Sequence, residues 1–192
     1  MSKKGIVYIA DYFLGQIIGG GELNDDELIK MLSREYNVKT IQSHLVTEQY
    51  INKNKESFFI ISNFQNLNFK CKQVLADFNY IIYEHDHKYL KSRNPAKYKD
   101  FQAPSHEIVN YYFYKNAVKV ICQTSFHEKI VKKNLGLANI INISGNLWSE
   151  DALEKIRKLS VAKKVDRCSV LESQITHKNT SGSIKFCMQK GL

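Results

Sequence analysis

Short apolar runs alternate with segments of helical periodicity along most of this chain of 192 residues. The runs predict β-strands because they contain few polar residues and are bounded by turn-forming residues. In chain order, the predicted strands are residues 5–10, 38–41, 57–62, 80–83, 118–122 and 138–143. Strands that are apolar along nearly their whole length are typical of a parallel sheet with helices on both faces.

Helices are predicted between these strands from capping residues and from apolar side chains at helical spacing. The first predicted helix begins at Asn24, with Glu27 completing a capping box, and a second capping box is predicted at Ser125 and Glu128. The other predicted helices are residues 69–76, 105–116 and 149–159. This alternation predicts a Rossmann-like α/β fold with three layers, α/β/α, and a mainly parallel sheet.

The pattern changes after residue 160. Residues 161–167 form a charged connector, residues 168–171 predict one strand, and residues 180–190 predict one helix. One strand and one helix cannot bury a core by themselves. We therefore predict a Rossmann-like domain over residues 1–160 and the first elements of an incomplete second domain over residues 161–192.

Several features predict a cytoplasmic location without a transmembrane segment. No apolar run approaches the ~20 residues that a membrane-spanning helix requires. The apolar run at residues 5–10 is too short for the core of a signal peptide. The cysteines lack a Cys-x-x-Cys pair, and we expect small buried side chains in a reducing compartment. They are Cys71, Cys122, Cys168 and Cys187.

The net charge of +9 favours anionic partners such as nucleotide phosphates, acidic lipid surfaces or nucleic acid. Lysines are spread over most predicted helices, with denser groups at residues 88–99 and at Lys163, Lys164 and Arg167. Neither zinc-finger spacing nor an aromatic RNA-binding motif accompanies this charge, so specific nucleic-acid binding is the weaker interpretation. Peripheral contact with a membrane surface is compatible with it.

The strand at residues 80–83 runs directly into Glu84, His85, Asp86 and His87. Polar residues at a strand end lie at the edge of an α/β sheet, where ligands of this fold class bind. If the segment is extended, His85 and His87 share one face, which is compatible with a His-x-His metal site. A third metal ligand is not singled out by any spacing. The alternative is a set of hydrogen-bonding groups for a sugar, with His85 and Asp86 as the leading candidates.

Glycines follow the first predicted strand, at Gly19, Gly20 and Gly21, and Glu22 comes next. Such glycines before a helix allow backbone N–H groups to approach a phosphate. Several acidic side chains are expected at the same helix start and already satisfy its dipole, namely Glu22, Asp25, Asp26 and Glu27. The segment fits neither a P-loop nor a dinucleotide-binding motif, so a flexible connector and an anion site remain alternatives. A Rossmann oxidoreductase is disfavoured because the second strand ends in Gln42-Ser43, without an acidic residue.

Four segments, taken in their order, resemble the retaining glycosyltransferases of family 4, which have the two-domain GT-B fold. They are Gly19–Glu22, Glu84–Asp86, Val120–His127 and Ser144–Ser149. The resemblance covers residues 5–160, as the N-terminal domain. It implies a nucleotide-diphosphate sugar bound in a cleft between two Rossmann-like domains, with no metal or cofactor required.

The resemblance also implies roles for individual residues. His85 and Asp86 would be catalytic, near the transferred sugar. Donor-binding residues would be Gly19, Gly20, Gly21, Glu22, Glu84, His87, Lys178 and Asn179, with Lys178 matching a phosphate-contacting lysine. The acceptor would be a glycan, a lipid-linked sugar or another molecule, and the basic loop at residues 88–104 is the candidate surface for it.

The sequence departs from the family pattern after Asn179. The second basic residue for the diphosphate and the Glu-x7-Glu carboxylates of the C-terminal domain do not occur before Leu192. We therefore expect a chain that is incomplete as a catalyst by itself, with a separate C-terminal half as a partner. The alternative function is a non-catalytic module that binds a glycan or an anionic acceptor.

Overall fold

The computed structural model describes residues 3–163, 165–174 and 178–191. Residues Lys164 and Leu192, which fall within the predicted connector and second domain, lie outside the described residues. The chain divides into two units, Met1–Ser149 and Glu150–Leu192. The division therefore comes before the last predicted helix of the first domain, where the sequence placed it after residue 160.

The first unit contains one parallel sheet of six strands. They are β1 (Gly5–Ala10), β2 (Asn37–Gln42), β3 (Phe58–Ile61), β4 (Tyr80–Tyr83), β5 (Lys119–Cys122) and β6 (Ile140–Asn142). Their order across the sheet is β2-β1-β3-β4-β5-β6, and every neighbouring pair is parallel. The predicted Rossmann-like, three-layer α/β/α class is confirmed, and each predicted strand of the first domain is present.

Five α-helices of the first unit cover the two faces of this sheet. They are α1 (Gly20–Ser33), α2 (Glu48–Lys53), α3 (Phe69–Leu75), α4 (Tyr111–Asn116) and α5 (Ser125–Leu135). Helices α2 to α5 pack over the larger core cluster, which contains Ile9, Phe59 and Ile82 of the sheet. Helix α1 packs over the other face, where Leu28 and Leu32 lie against a smaller cluster.

The alternation of side chains in β1 explains why this strand is apolar throughout. Val7 and Ile9 belong to the larger core cluster, whereas Ile6 and Tyr8 belong to the smaller one. Successive side chains of a strand point to opposite faces, so a central strand with helices on both sides buries both sets. The predicted strand pattern thus follows from the position of β1 between β2 and β3.

The strand order sets the position where a ligand can bind. The chain moves from β1 to β2 in one direction across the sheet, and from β3 to β4 in the other. In open parallel sheets, the carboxyl ends of the strands on either side of such a reversal open a crevice. The polar residues that follow β1, β3 and β4 therefore lie around this crevice.

The predicted start of the first helix at Asn24 is wrong. Helix α1 begins at Gly20, and Gly19 occupies its N-cap position. Asn24 does not cap the helix, because its side chain is buried and accepts a hydrogen bond from the Tyr83 hydroxyl. Glu27 accepts a hydrogen bond from Lys30 on the helix surface. The glycines are therefore part of the helix start and not a connector that precedes it.

Two other predicted helix starts need correction. The predicted helix over residues 105–116 is a 3-10 turn, Ser105–Glu107, followed by α4, because Asn110 has a left-handed backbone (φ 55°) that interrupts it. The Asn110 amide donates a hydrogen bond to the backbone carbonyl of Lys88, which holds this conformation. Helix α5 is capped by Thr124 and not by Ser125, since the Thr124 hydroxyl accepts from the backbone N–H of His127.

The second unit contains helices α6 (Glu150–Ser160) and α7 (Thr180–Gln189). Both helices were predicted, but the strand over residues 168–171 is not formed in the described residues 165–174. Cys71 and Cys122 are buried as expected, whereas Cys168 is exposed and Cys187 is partly exposed. None of the helices in the described part of the chain has the length and apolar character needed to cross a membrane.

Candidate functional site

Five residues from four elements of the first unit come together at the carboxyl edge of the sheet. His85 follows β4, Gln123 follows β5, Asn63 lies just after β3, and Gly21 and Asp25 belong to the first turns of α1. We call these five residues the His85 cluster. Local sequence brings each of them only to the carboxyl edge of the sheet, and the parallel packing of the strands brings them together.

His85 is held by hydrogen bonds at both of its ring nitrogens. Its Nε2 lies 2.9 Å from Oδ1 of Asp25, and its Nδ1 lies 2.9 Å from Nε2 of Gln123. Because a carboxylate only accepts, we assign the ring proton to Nε2, and Nδ1 then accepts from the Gln123 amide. The ring is therefore fixed in orientation by one hydrogen bond at each of its nitrogens.

Asp25 connects the ring of His85 to the core of the domain. Its Oδ1 also accepts a hydrogen bond from the Tyr8 hydroxyl at 2.8 Å, and the side chain is almost fully buried. Burial, together with the nearby Asp25 charge, raises the pKa of Tyr8 well above its ordinary value. The second carboxylate oxygen of Asp25 has no hydrogen-bond partner among the residues that the structure describes. One acceptor atom beside His85 is thus unused.

Gly21 brings the backbone of α1 into contact with the cluster. A Cβ atom at this position would lie 3.6 Å from Nδ2 of Asn63 and 3.8 Å from Cγ of His85. The absence of a side chain leaves that space next to the ring of His85. At Gly20, by contrast, a Cβ atom would meet no described atom within 4 Å.

Glu22 occupies the N-terminus of α1 with its own negative charge. Its carboxylate folds back against Gly19, and Oε1 lies 3.5 Å from Nδ2 of Asn63. A carboxylate in the first turn of a helix interacts favourably with the helix dipole. A phosphate at this helix start would therefore compete with Glu22, whereas the hydroxyl groups of a sugar could donate to it.

An apolar groove of about 440 Å³ opens beside the cluster on the face of the sheet that α1 covers. Leu28, Tyr83 and Ile121 line it. The ring of Tyr83 meets the ring of His85 edge to face, with 4.8 Å between the ring centres. Tyr83 therefore lies between the groove and His85.

Glu84 lies on the opposite side of the sheet from His85, in a buried charge network. The Tyr114 hydroxyl donates a hydrogen bond to Oε2, and the backbone N–H of Asp86 donates to Oε1 at 2.9 Å. The ammonium group of Lys88, itself almost fully buried, lies 3.8 Å from Oε1. Burial by itself would raise the pKa of Glu84, but Lys88 and Tyr114 overcome this effect and hold it at about 2.

Asp86 completes this network at the protein surface. Its carboxylate lies 2.6 Å from the Lys88 ammonium group and 3.0 Å from the Arg93 guanidinium group. Both carboxylate oxygens are thus paired with cations, although the side chain is 44% exposed. Asp86, predicted as catalytic, lies at the start of the loop that follows β4. Its ion pairs with Lys88 and Arg93 anchor this loop.

His87 does not share a face with His85, so the expectation from an extended segment is wrong. Strand β4 ends at Tyr83, and His87 has a left-handed backbone, with φ of 56°. Its Nδ1 lies 3.0 Å from the Tyr89 hydroxyl, and its ring packs against the ring of His127. Burial, followed by the neighbouring His127, lowers the pKa of His87 to about 4.

His85 and His87 therefore do not form the pair of ligands that a His-x-His metal site requires. Within the described ranges, no group of three or more His, Cys, Asp or Glu side chains is arranged to hold a metal ion. Burial also lowers the pKa of His127, whose Nε2 has no hydrogen-bond partner in the described part of the chain. His87 and His127 form a half-buried pair near Glu84, and burial disfavours the charged form of both rings.

The predicted site residues thus fall into three places. Gly21, Glu22 and His85 lie together, next to Gly19 and Gly20 at the start of α1. The network around Lys88 contains Glu84 and Asp86, and His87 packs beside it. Lys178 and Asn179 belong to the second unit, directly before α7, where Asn179 has a left-handed backbone (φ 51°).

The residues that fix His85 are not among the site residues predicted from the sequence. The sequence predicts Asp25 only as one of the acidic residues at the helix start, and Gln123 only as part of the segment Val120–His127. The position of Gln123 directly after an apolar strand was a usable signal, because such residues lie at the ligand-binding edge of a parallel sheet. The pairing of Asp25 with His85, which are 60 residues apart, had no local signal.

Comparisons with known proteins add no family to this description. No protein-family model matches the chain, and no curated protein matches it.

Proposed function

We propose that this chain supplies the sugar-binding side of a retaining, nucleotide-sugar-dependent glycosyltransferase with the GT-B fold. The observation that carries the proposal is the His85 cluster, in which a fixed imidazole ring faces a glycine of α1 at the carboxyl edge of the sheet. Fixed hydrogen-bonding groups beside an apolar groove suit a ligand with many hydroxyl groups and an apolar ring face.

The groups in the cluster suit the sugar better than the diphosphate of such a donor. The Glu22 carboxylate accepts hydrogen bonds, and the Asn63 amide can both donate and accept. Sugar hydroxyls are complementary to this mixture, whereas a diphosphate requires cations and free N–H groups. In our proposal, this chain orients the sugar, and the charge of the departing nucleoside diphosphate is stabilised by groups outside the His85 cluster.

The expected activity of this chain follows from the separation of sugar orientation from charge stabilisation. Sugar transfer passes through an oxocarbenium-like transition state while a nucleoside diphosphate departs. Orienting the sugar lowers the entropic cost of that step, but the developing negative charge requires separate electrostatic stabilisation. We therefore expect ligand binding by this chain alone, with weak transfer or none.

Gly21→Ala should separate ligand binding from stability. The added methyl group would fill the space next to His85 and Asn63, so we expect at least a tenfold loss of affinity for the nucleotide sugar that the wild-type chain binds. The same substitution removes a glycine from a helix, which should leave stability unchanged or raise it by about 0.5–1 kcal/mol. Isothermal titration calorimetry with a panel of nucleotide sugars and the free nucleotides measures the affinity.

Gly20→Ala is the matched control for this experiment. It makes the same change one residue earlier in α1, where the methyl group would meet open space. The proposal requires that Gly20→Ala keep the wild-type affinity for the nucleotide sugar and that Gly21→Ala lose it. Equal affinities of the two variants, or the absence of binding to every nucleotide sugar tested, would contradict it.

The loop at residues 88–104 is the proposed acceptor surface. Lys91 and Lys97 are exposed on this loop, whereas Arg93 is paired with Asp86. We expect the double variant Lys91→Ala/Lys97→Ala to lose most of the affinity for an anionic acceptor such as a lipid-linked sugar phosphate, and to keep its affinity for the donor. Binding of labelled acceptors, measured by fluorescence anisotropy, tests this, and unchanged acceptor affinity would remove the loop from the proposal.

A further inference from the structure

Two thiol groups of the second unit lie in direct contact. The Sγ atoms of Cys168 and Cys187 are 2.6 Å apart, although the residues are 19 positions apart in sequence. A disulfide bond joins sulfur atoms at about 2.05 Å, so only a small movement separates this pair from bonding distance. Cys168 is exposed and Cys187 is partly exposed, so both can be reached by a small reagent.

Hydrogen bonds at the start of α7 account independently for this contact. The Thr180 hydroxyl donates to the backbone carbonyl of Leu171 at 2.8 Å and accepts from the backbone N–H of Ser173 at 3.1 Å. These bonds hold the segment that contains Cys168 against the first turn of the helix. Whether Cys168 reaches Cys187 then depends on two lengths, that of α7 from Thr180 to Cys187 and that of the segment from Leu171 back to Cys168.

The two lengths agree. Thr180 and Cys187 are seven residues apart, which is about two turns of helix, so they share one face and lie about 10 Å apart along the axis. Cys168 precedes Leu171 by three residues, and three extended residues also span about 10 Å. A segment that runs back along α7 from Thr180 therefore brings Cys168 level with Cys187.

From this geometry we propose that Cys168 and Cys187 form a dithiol site that is oxidised to an intramolecular disulfide by a low-molecular-weight disulfide such as oxidised glutathione. The bond would close a ring of residues 168–187, which contains Lys178 and Asn179. The proposal is independent of the sugar site, since its residues all belong to the second unit.

The exchange takes place in two balanced steps. One thiolate attacks a sulfur atom of oxidised glutathione, which forms a mixed disulfide and releases one glutathione thiolate. The second cysteine then loses its proton, attacks the cysteine sulfur of the mixed disulfide and releases a second glutathione. Cys168 is the more exposed of the two thiols, so we expect it to attack first. The two thiols lose two electrons and two protons in total, and one oxidised glutathione becomes two reduced molecules.

The experiment equilibrates the full chain in mixtures of reduced and oxidised glutathione, quenches with acid and alkylates the remaining thiols under denaturing conditions. Mass spectrometry then counts alkylated cysteines. We expect a loss of two of the four alkylatable thiols as the buffer becomes oxidising, with peptide mapping that joins Cys168 to Cys187. The buried Cys71 and Cys122 should stay alkylatable and serve as internal controls.

Single variants make the result decisive. In Cys168→Ser and in Cys187→Ser the second step is impossible, so the remaining cysteine should accumulate as a glutathione adduct. The proposal is overturned if the wild-type chain carries glutathione on both cysteines at once, if the mapped disulfide involves Cys71 or Cys122, or if all thiols stay reduced at the most oxidising ratio.

Discussion

Replacing Lys88 with methionine is expected to lower the free energy of unfolding by about 3–5 kcal/mol. Methionine keeps the length of the side chain but removes the ammonium group that lies 3.8 Å from the Glu84 carboxylate. Glu84 is fully buried, so among the described residues its charge would be left with hydrogen bonds from the Tyr114 hydroxyl and a backbone N–H. An unpaired buried carboxylate is among the most costly changes in a folded protein. Urea unfolding, followed by far-ultraviolet circular dichroism, measures the loss.

Two further variants test the physical reason. Lys132→Met removes an ammonium group that lies 2.6 Å from Glu128 in an exposed pair, and it should cost less than about 1 kcal/mol. Glu84→Gln leaves Lys88 paired with Asp86, so it should cost less than Lys88→Met. If Lys88→Met were no more destabilising than Lys132→Met, Glu84 would not depend on Lys88 for its charge.

The stability of the folded protein should fall by about 3 kcal/mol between pH 7 and pH 4 through His87 alone. The pKa of His87 is lowered from 6.5 to about 4 by burial and by the neighbouring His127. Between these two values the unfolded chain binds a proton on this histidine and the folded protein does not. Protonation therefore favours unfolding as the pH falls, and above pH 6.5 the contribution of His87 is constant.

Glu84 extends the same trend to lower pH. Its pKa is about 2 in the folded protein and 4.5 as its ordinary value, so the unfolded chain takes up a proton first as the pH falls below 4.5. The stability that the ionised Glu84 contributes is present above pH 4.5 and is lost as the pH falls toward 2. The lowered pKa of His127 acts in the same direction as that of His87.

His87→Asn isolates the upper part of this pH dependence. Asparagine tolerates the left-handed backbone at this position and places a polar group near the Tyr89 hydroxyl, but it does not titrate. Urea unfolding at several pH values between 7 and 4 should show a slope that is smaller by up to one proton than in the wild type. Equal slopes for wild type and His87→Asn would refute the assignment.

The outcome at the two histidines illustrates how far sequence reasoning reaches into the site. The position of His85 at the carboxyl edge follows from an apolar strand that ends at Tyr83, and this was predictable. The shared face of His85 and His87 was not, because the left-handed backbone at His87 depends on the packing of the following loop. Only the folded chain shows that His85 contacts Asp25, whereas His87 contacts Tyr89 and His127.

The glycines at the start of α1 illustrate the same limit. Glycine is a poor helix former, and Asn24 is a preferred capping residue, so local propensity places the helix start too late. Tertiary contacts decide otherwise, since Asn24 and Asp25 are bound to Tyr83 and to His85, which requires them inside the helix. The helix then extends back through Gly21, where the missing side chain allows contact with the site.

By itself, the sequence determined the parallel α/β architecture of the first unit and the edge at which polar residues collect, because both depend on the local alternation of apolar strands and helices. Only the tertiary structure decided which of those polar residues meet. Asp25 meets His85 although the two are 60 residues apart, and Lys88 meets Glu84 because the loop after β4 turns back. In the second unit, Cys168 likewise meets Cys187. The formation of these contacts depends on helix boundaries and single left-handed residues that packing, and not local propensity, stabilises.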